Sequence, residues 1–464
     1  MTTVTPEQIA AAVSLAIAKA TSMPYPNEDG IFEDVDSAVG AAVTAQREYM
    51  KCSMNFRRRV VQAIRDFTVI PENLHYMAEE AVKQTGMGNV PDKILKNKFV
   101  AELTPGVEDL FTEAWSGDDG LTTLELSPFG VIGAITPTTN PTETILCNGI
   151  AMLAAGNAVV FSPHPRAKDL SIWLVKELNH ALAKIDAPAN LITMVREPSI
   201  ENTDKLMAHK DVRLLVATGG PGIVRTVLSS GKKAIGAGAG NPPVVVDETA
   251  DIEQAAKDIV DGATFDNNLP CTAEKEVIAV DAIADLLKFN MLKNGAFELT
   301  DPGEIAKLQE LVMDGKLPRT EWVGKSALSI LKALGIKAPS NTRLITMETE
   351  LMHPFVLSEL MMPILPIVRA KNVDEAIDWA IICEHNLRHT AIMHSTNVTS
   401  LTKMARLIQT TIFVKNGPSY SGIGIGGEGF ITFTIAGPTG EGLTSARTFT
   451  RKRRCVLVGG LNVR

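Results

Sequence analysis

Short apolar runs alternate with amphipathic helical segments along most of the chain, beginning near residue 31. The runs are apolar at nearly every position, so we expect both of their faces to be buried, as in a parallel sheet covered by helices. They lie about 20–30 residues apart in the first set, the spacing that βαβ units require. This pattern predicts two α/β domains in series with a cleft between them. The predicted strands are residues 130–135, 158–161, 191–195 and 214–217 in the first domain, and residues 244–246, 276–280, 364–368 and 411–414 in the second.

The N-terminal segment differs from the body of the chain. Residues 6–20 place Ile9, Val13 and Ile17 at helical spacing, and few charges occupy the opposite face. Residues 21–30 are rich in proline and polar residues, which predicts a linker. Such a helix could dock on a partner surface or pack on its own domain, and the pattern favours neither alternative.

The C-terminal tail also has its own pattern. From Gly437 onward it is rich in glycine and threonine, and it then becomes strand-like. A late strand must pair with another strand, and residues 121–126 are the candidate partner. A protruding pair of this kind can form an oligomer contact. The basic cluster at residues 451–454 is then expected to be the solvated rim of this strand rather than an arm that binds nucleic acid.

Composition narrows the class of protein. The chain has 464 residues, too many for one ordinary core, and 45% of them are hydrophobic. The formal net charge of −8 argues against binding to nucleic acid or to anionic lipid. The apolar stretch 145–161 contains Asn148, Gly156 and Asn157, so it predicts a helix, a turn and a buried strand rather than a membrane span.

Cysteine and histidine usage gives no sign of a structural cross-link or a metal site. The five cysteines are an odd number and widely spaced, which argues against a disulfide framework and suits a reducing cytosol. His385 and His389 share helical spacing, but no His-Glu-x-x-His pattern surrounds them. We therefore expect no bound metal.

Cys271 is the candidate nucleophile. Polar residues and Pro270 break the preceding helix and predict that the thiol lies in a turn near a helix start. A helix N-terminus lowers the pKa of a thiol, and the thiolate is the nucleophilic form. Cys147 and Cys383 lie in apolar helical patterns and are better interpreted as core residues.

Three further motifs lie at or between predicted strands. Asn140 comes just past a strand, where its amide could donate to an oxyanion or could hold an Asn-Pro turn. Thr218, Gly219 and Gly220 follow a strand and open a helix, where backbone N–H groups could bind a pyrophosphate or could form a tight turn without ligand. The glycine cluster at residues 236–240 permits close approach by a ligand or another backbone, and it could also serve as a hinge.

In their order and spacing these motifs resemble the aldehyde dehydrogenase superfamily, from about residue 31 to the C-terminus. The details are similar to its CoA-acylating branch, especially the propionaldehyde and acetaldehyde dehydrogenases of bacterial microcompartments. The resemblance rests on residues 136–141, 154–160, 218–220, Cys271 and Glu359, together with the phrases at residues 85–88, 162–165, 267–271 and 424–429.

This resemblance implies an α/β fold of two Rossmann-like parallel-sheet domains with a small β oligomerisation element. The N-terminal helix and linker would be a candidate targeting tail. The implied segments are residues 1–30 for that tail, 31–114 and 131–240 for the cofactor-binding domain, 241–432 for the catalytic domain, and 115–130 and 433–464 for the oligomerisation element.

The resemblance also implies roles for individual residues. Cys271 would attack an aldehyde, and Asn140 with the backbone N–H of Cys271 would bind the resulting oxyanion. Glu359 would hydrogen-bond the nicotinamide ribose, and the loop at residues 218–220 would lie by the pyrophosphate. The implied cofactor-binding residues are Thr136, Pro137, Ser162, His164, Thr218, Gly219, Gly220 and Glu359.

One departure from the superfamily bears on the reaction. Hydrolytic members carry a glutamate shortly before a Gly-Gly-Lys-Ser-Pro segment, and it activates the deacylating water. The comparable residues 235–243 include no acidic residue, which favours acyl transfer to CoA. A hydrolytic NAD-dependent enzyme that releases the free acid remains the alternative. A structural protein that has lost activity is disfavoured because Cys271, Asn140 and Glu359 are all intact.

A second departure bears on the cofactor. Ser162 stands where hydrolytic relatives have a lysine for the adenosine ribose, and Pro165 stands where an acidic residue would repel a 2′-phosphate. NAD is the expected cofactor, although these residues do not by themselves exclude NADP. A looser adenosine site would suit the alternation of NAD and coenzyme A in one pocket.

The expected partners follow from the resemblance. The substrates would be coenzyme A and a short aliphatic aldehyde, with propionaldehyde first and acetaldehyde second. The chain would form a homo-oligomer, dimer or tetramer, in the cytoplasm and inside a bacterial microcompartment. There the N-terminal helix would contact shell or cargo.

Overall fold

The computed structural model describes residues 29–463. Strands form where the sequence has its apolar runs, and the central ones are buried along their whole length. In chain order the strands are β1 Ile31–Phe32, β2 Glu113–Gly117, β3 Gly120–Pro128, β4 Val131–Ile135, β5 Ala158–Ser162, β6 Ile192–Val195, β7 Val212–Thr218, β8 Ala234–Ala237, β9 Pro243–Val246, β10 Glu276–Val280, β11 Ala296–Glu298, β12 Met313–Asp314, β13 Leu317–Pro318, β14 Leu344–Glu348, β15 Ile364–Ala370, β16 Thr390–His394, β17 Ile412–Lys415, β18 Ile435–Ala436, β19 Gly442–Leu443 and β20 Thr450–Val458.

Most of the helices begin at a side chain that accepts a hydrogen bond from a free N–H group of the first turn. The hydroxyl of Ser53 accepts from the N–H of Phe56, and the side chain of Asn372 accepts from the N–H of Glu375. In chain order the helices are α1 Val35–Tyr49, α2 Met54–Thr68, α3 Pro71–Thr85, α4 Val90–Leu103, α5 Pro141–Ala154, α6 Lys168–Ala183, α7 Ile200–Ala208, α8 Pro221–Leu228, α9 Ile252–Thr264, α10 Asp281–Lys293, α11 Pro302–Val312, α12 Ala327–Ala333, α13 Val373–Glu384 and α14 Val398–Ile408.

The first sheet is parallel and has the strand order β1-β6-β5-β4-β7-β8. From β4 the chain moves outward through β5 and β6, and then it returns to the other side of β4 to form β7 and β8. This order opens a crevice at the carboxyl ends of β4 and β7, where the connections leave in opposite directions. All four strands predicted for the first domain are present as β4 to β7.

The second sheet is also parallel, with the order β11-β14-β15-β10-β9-β16-β17. The predicted strands of the second domain correspond to β9, β10, β15 and β17. One large cluster of buried hydrophobic residues includes side chains from both sheets, among them Val159, Leu215, Val244 and Val277. The two sheets are therefore parts of one packed body, as the predicted α/β fold requires.

A third, antiparallel sheet has the order β2-β3-β20. The predicted pairing of the late strand with residues 121–126 is confirmed, with Lys452 opposite Leu126 and Leu457 opposite Leu121. The strand β2 had no clear pattern in the sequence. Residues 433–449 are not part of this sheet, and Thr434 among them bonds to Thr218 at the end of β7.

The apolar stretch 145–161 forms most of α5, a turn and most of β5, as predicted. Every residue of α5 is buried, because the helix packs inside the protein between the first sheet and its neighbouring helices. Between residues 29 and 463 no helix is both long enough and apolar enough to cross a membrane. The predicted helix at residues 6–20 lies outside the described residues.

Candidate functional site

The carboxyl ends of the first sheet face the amino ends of the second sheet across one cleft of about 1100 Å³. Loops that leave β4, β5 and β7 form one wall, and segments that enter β9, β10 and β15 form the other. All ten residues singled out in the sequence line this cleft, namely Thr136, Pro137, Asn140, Ser162, His164, Thr218, Gly219, Gly220, Cys271 and Glu359. The fold therefore brings together residues that are up to 223 positions apart, the separation of Thr136 and Glu359.

The first wall is built at the topological switch point of the first sheet. Gly220 is the N-cap of α8, and Pro221 occupies its first turn, so N–H groups at this helix start face the cleft. The N–H of Gly219 donates to the carbonyl of Ala237 at 3.0 Å, which fixes the loop against β8. A helix N-terminus at a switch point is a recurring site for a dinucleotide pyrophosphate.

The far end of the first wall contains hydroxyl and imidazole side chains. The hydroxyls of Ser162 and Thr203 lie 2.9 Å apart and share a hydrogen bond. Burial and the nearby Arg166 lower the pKa of His164, so its imidazole is neutral near pH 7. Asp204 from α7 lines this same end. The structure thus supplies a carboxylate that inspection of residues 162–165 did not reveal.

The second wall contains the nucleophile loop, residues 265–271, whose backbone is unusual. Asp266, Asn267 and Asn268 have φ values of 47°, 55° and 66°. Left-handed backbone costs an ordinary residue about 1 kcal/mol or more, and aspartate and asparagine tolerate it best. Three such residues in a row change the direction of the chain after α9 and carry Cys271 to the cleft.

A buried lysine, Lys275, holds the nucleophile loop through three hydrogen bonds. Nζ of Lys275 donates to Oδ1 of Asn268 at 2.6 Å, to the carbonyl of Asn268 at 3.1 Å and to that of Pro270 at 3.4 Å. The carboxyl of Glu274 accepts from the N–H and the hydroxyl of Ser419 at 2.8 and 2.7 Å. These bonds tie the loop to the start of β10 and to the segment that follows β17.

The expected helix start beside Cys271 is wrong. The residue lies in a turn that leads directly into β10, because the buried run Glu276–Val280 pairs between β9 and β15. Cys271 is partly exposed to the cleft. The surrounding walls nevertheless exclude much of the solvent, and this burial raises the pKa of the thiol to about 12.

Charged neighbours of Cys271 shift the pKa of its thiol in opposite directions. The Glu359 carboxyl raises the pKa of Cys271, whereas Lys275 and Lys96 lower it. The protonated thiol is therefore the resting form at neutral pH, and its proton must be removed before attack. Cys147 and Cys383 are buried in helices, as predicted.

Gly240, in the segment before β9, is a position where close packing leaves no room for a side chain. A Cβ at this position would lie 2.6 Å from the carbonyl oxygen of Cys271 and 2.9 Å from Cγ of His389. The N–H of Gly240 donates to Oε1 of Glu359 at 3.3 Å. Of the two readings of this cluster, close approach of another backbone is therefore the one that the structure supports at Gly240.

Asn140 is the N-cap of α5 and faces the cleft. Its Oδ1 accepts from Nζ of Lys96 at 2.6 Å, and its Nδ2 donates to the hydroxyl of Thr139 at 3.3 Å. Lys96 was missed in the sequence because lysine is rarely buried and its spacing from Lys93 is typical of a solvated helix face. Both lysines are in fact at most 1% exposed.

His389 is a second residue that its sequence context did not identify. It is buried, and its Nδ1 shares a hydrogen bond with the hydroxyl of Thr390 at 2.8 Å. Burial and then Lys275 lower its pKa to about 4. Its Nε2 has no hydrogen-bond partner within residues 29–463.

No group of three or more potential metal ligands occurs among the described residues.

Comparison with known proteins gives a consistent result. The family model "Aldehyde dehydrogenase family" matches residues 27–296, more than half of the chain. A propanal dehydrogenase (CoA-propanoylating) from Citrobacter freundii is 50% identical over 437 residues, which cover 94% of this chain and 94% of that protein.

Solved structures are similar over nearly the whole chain. A Rhodopseudomonas palustris propionaldehyde dehydrogenase with bound CoA and an acylated cysteine is 63% identical, with a TM-score of 0.93, and the match covers 94% of this chain and 100% of that one. A propionaldehyde dehydrogenase from the Clostridium phytofermentans fucose utilisation bacterial microcompartment is 53% identical, with a TM-score of 0.92 and the same coverage. This chain belongs to the aldehyde dehydrogenase family.

Proposed function

We propose that this chain is a CoA-acylating aldehyde dehydrogenase. It oxidises a short aliphatic aldehyde, propionaldehyde in the first place and acetaldehyde in the second, with NAD and CoA to acyl-CoA and NADH. The observation that carries the proposal is the shared cleft, in which a cysteine, an amide donor and a dinucleotide-type helix start face one another. The names of relatives that match over nearly the whole chain support the same reaction.

The cleft fits a dinucleotide. The hydroxyl of Thr136 is buried in its wall and has no hydrogen-bond partner between residues 29 and 463, so a polar group of a ligand can satisfy it. The helix start at Gly220 offers N–H groups for a pyrophosphate, and Ser162 and His164 line the far end. Glu359 is the proposed partner of the nicotinamide ribose. When bound, NAD supplies the hydride acceptor for the oxidation.

The proposed chemistry of the protein itself centres on Cys271. Its thiolate adds to the aldehyde carbon, and the negative charge that develops on oxygen is stabilised by Nδ2 of Asn140 and the N–H of Cys271. Oxidation then leaves an acyl thioester on Cys271. The thiol of CoA loses its proton and attacks this thioester, the acyl group moves to CoA, and Cys271 leaves as a thiolate that takes up a proton. Such a sequence predicts ping-pong kinetics.

Acyl transfer to CoA rather than to water is supported by residues 235–243, which include no carboxylate that could activate a water. The alternative, a hydrolytic enzyme, draws its support from Glu359, because this carboxyl lies in the same cleft and affects the Cys271 thiol electrostatically. The lack of a base in residues 235–243 and the CoA-propanoylating relative favour transfer to CoA.

The deciding experiment measures NADH formation from propionaldehyde and NAD with and without CoA, and identifies the product. We expect sustained turnover and propionyl-CoA only when CoA is present. Equal turnover without CoA, with propionate as the product, would establish the hydrolytic alternative.

For the assembly we propose a dimer or tetramer formed through the sheet β2-β3-β20. We assign residues 115–130 and 433–464 to an oligomerisation element, of which residues 450–458 form β20 and residues 433–449 lie outside the sheet. The support is its exposed apolar surface, where Trp115 is 50%, Val456 54% and Val458 81% exposed. Replacement of Val456 and Val458 by glutamate should shift the sedimentation coefficient toward that of a monomer. An unchanged value would place the contact elsewhere.

The remaining proposals concern domains and location. We assign residues 31–114 and 131–240 to cofactor binding, residues 241–432 to catalysis and residues 1–30 to a targeting tail. The similarity to a microcompartment enzyme supports a location inside such a compartment in the cytoplasm. Deletion of residues 1–22 should abolish co-sedimentation with purified shells, and unchanged co-sedimentation would reject the tail.

A further inference from the structure

A buried ion cluster lies directly behind the oxyanion donor. We use this name for Lys93, Lys96, Glu143 and Asp266, all of which have side chains at most 1% exposed. Lys96 is the hub, because its Nζ lies 2.5 Å from Oδ2 of Asp266 and 2.9 Å from Oε1 of Glu143. Removing charged groups from water is unfavourable, and pairing them offsets that free energy only in part. A fully buried cluster of four charged side chains therefore points to a functional role.

Lys96 determines which atom of Asn140 faces the cleft. An ammonium group has three donors and no acceptor, so only Oδ1 of the amide can face it, and the observed distance is 2.6 Å. The NH₂ group must then point away from Lys96. One of its hydrogens serves Thr139 at 3.3 Å, and the other is left for the cleft that Asn140 lines.

The same cation also holds the nucleophile loop. Asp266 is its carboxylate partner and is the first of the three left-handed residues that precede Cys271. The backbone around Asp266 is fixed further, since its N–H donates to Asp92 at 2.7 Å and its Oδ1 accepts from the N–H of Asn89 at 2.9 Å. One ammonium group thus contacts both the oxyanion donor and the segment that carries the nucleophile.

We propose that Lys96 is a positioning residue for the acylation step, which fixes and polarises the Asn140 amide and couples it to the Cys271 loop through Asp266. The inference rests on the proposed function, since it assumes that Cys271 forms the thioester and Asn140 binds the oxyanion. Lys96 itself touches no reacting atom. A preorganised donor stabilises developing charge without reorganisation, and this is how Lys96 contributes to the rate.

The charge of Lys96 is retained at neutral pH. Burial by itself would lower its pKa, but the carboxylates of Asp266 and Glu143 outweigh that effect and raise it. A cation bonded to Oδ1 withdraws electron density from the amide, so the NH₂ hydrogens become better donors. A neutral side chain of the same length could preserve the packing, but it could not supply this polarisation.

The test measures pre-steady-state NADH formation from propionaldehyde. It compares Lys96→Met with the wild-type enzyme and with two control variants. The wild-type enzyme sets the reference, and Lys98→Met removes an exposed lysine from the same helix, 49% exposed, and should leave the rate unchanged. Lys93→Met removes a buried lysine that contacts Asp266 but not Asn140, so it should lower the rate less than Lys96→Met does. For Lys96→Met we expect the acylation rate to fall about 10- to 100-fold, while the KM for CoA stays within about twofold.

The decisive readout is the coupling between Lys96 and Asn140. If Lys96 acts largely through the amide, the loss caused by Lys96→Met should be several-fold smaller in an Asn140→Ala background, where the amide is already absent. The part that remains reports the contact of Lys96 with Asp266 and its effect on the pKa of Cys271. Losses that multiply in the double variant would show a general structural role and overturn the inference. An unchanged acylation rate in Lys96→Met would overturn it as well.

Two controls keep this test independent of folding and of the proposed function. Thermal unfolding identifies a variant that does not fold, and Lys96→Met/Asp266→Asn then replaces the single variant because it removes one charge of each sign. With this pair we expect the same loss in rate and the same coupling to Asn140, and full activity would overturn the inference. If the wild-type enzyme itself shows no CoA-dependent NADH formation, the proposed function fails.

Discussion

The two walls of the cleft are built on different physical bases. The wall formed by the loops that leave the first sheet, which we call the cofactor wall after its proposed role, uses strand ends, a helix start and glycine at residues 136–140 and 218–220. The opposite wall, which we call the nucleophile wall because it contains Cys271, has three non-glycine residues in left-handed conformation. Buried lysines hold these residues in place. The difference shows that one wall follows from local chain geometry, whereas the other depends on contacts between distant segments.

The largest expected effect comes from loss of the nucleophile. Cys271→Ala should lower the rate of CoA-dependent NADH formation by about four orders of magnitude or more, because the aldehyde adduct and the acyl thioester both require the C–S bond to that sulfur. The matched control is Cys455→Ala, which alters an exposed cysteine on β20 and should retain wild-type turnover. Substantial activity in Cys271→Ala would move the nucleophile to another residue.

The packing of the nucleophile wall can be tested at Gly240. In Gly240→Ala the new Cβ would lie 2.6 Å from the Cys271 carbonyl oxygen, so the nucleophile loop must move. We expect kcat to fall about 100-fold, as an error of about 1 Å at a reacting atom can cost that much. Gly238→Ala, whose nearest neighbouring atom is 4.0 Å from the new Cβ, should lose no more than about threefold. Equal effects of the two variants would show that the contact with Cys271 does not matter.

The protonation state of the nucleophile gives a pH prediction. The pKa of Cys271 is raised to about 12, so the thiolate fraction grows about tenfold for each pH unit over the range from 7 to 9. The rate of alkylation of Cys271 by iodoacetamide, followed by mass spectrometry of its peptide, should rise in the same proportion. A plateau near pH 7 would mean that the thiol is already ionised there. Peptides with Cys455 monitor the stability of the reagent in the same samples.

The smallest effect concerns the cofactor wall. Asp204 is a carboxylate at the far end of the cleft, near Ser162, where a 2′-phosphate would be repelled. Asp204→Asn should raise kcat/KM for NADP relative to NAD about three- to tenfold, because it removes that repulsion. Glu201→Gln removes the same charge from the exposed face of α7, where Glu201 pairs with Lys205, and should leave the ratio unchanged. No change in Asp204→Asn would mean that another feature sets the preference.

Much of the candidate site could be predicted because its residues stand in recognisable local contexts. Asn140 and Gly220 lie just past apolar strands, and Cys271 follows a proline in a polar segment. The helix expected beside Cys271 is wrong, because pairing of β10 inside the second sheet overrides the local signal. Lys96 could not be found, since a lysine on a helix is ordinarily exposed and nothing nearby in the sequence shows its partners.

The alternation of buried strands and helices is written in the sequence, because burial on two faces requires continuous apolar runs whatever the distant contacts are. The glycines at residues 219–220, which follow an apolar strand, likewise predict where a helix begins. The folded chain was needed to show that Lys96, Asn140 and Asp266 meet, that Gly240 packs against the nucleophile loop and that Asp204 lines the cofactor wall. The physical reason is that each of these contacts joins segments far apart in the chain, and a charge or a glycine acquires its function from the atoms that are folded against it.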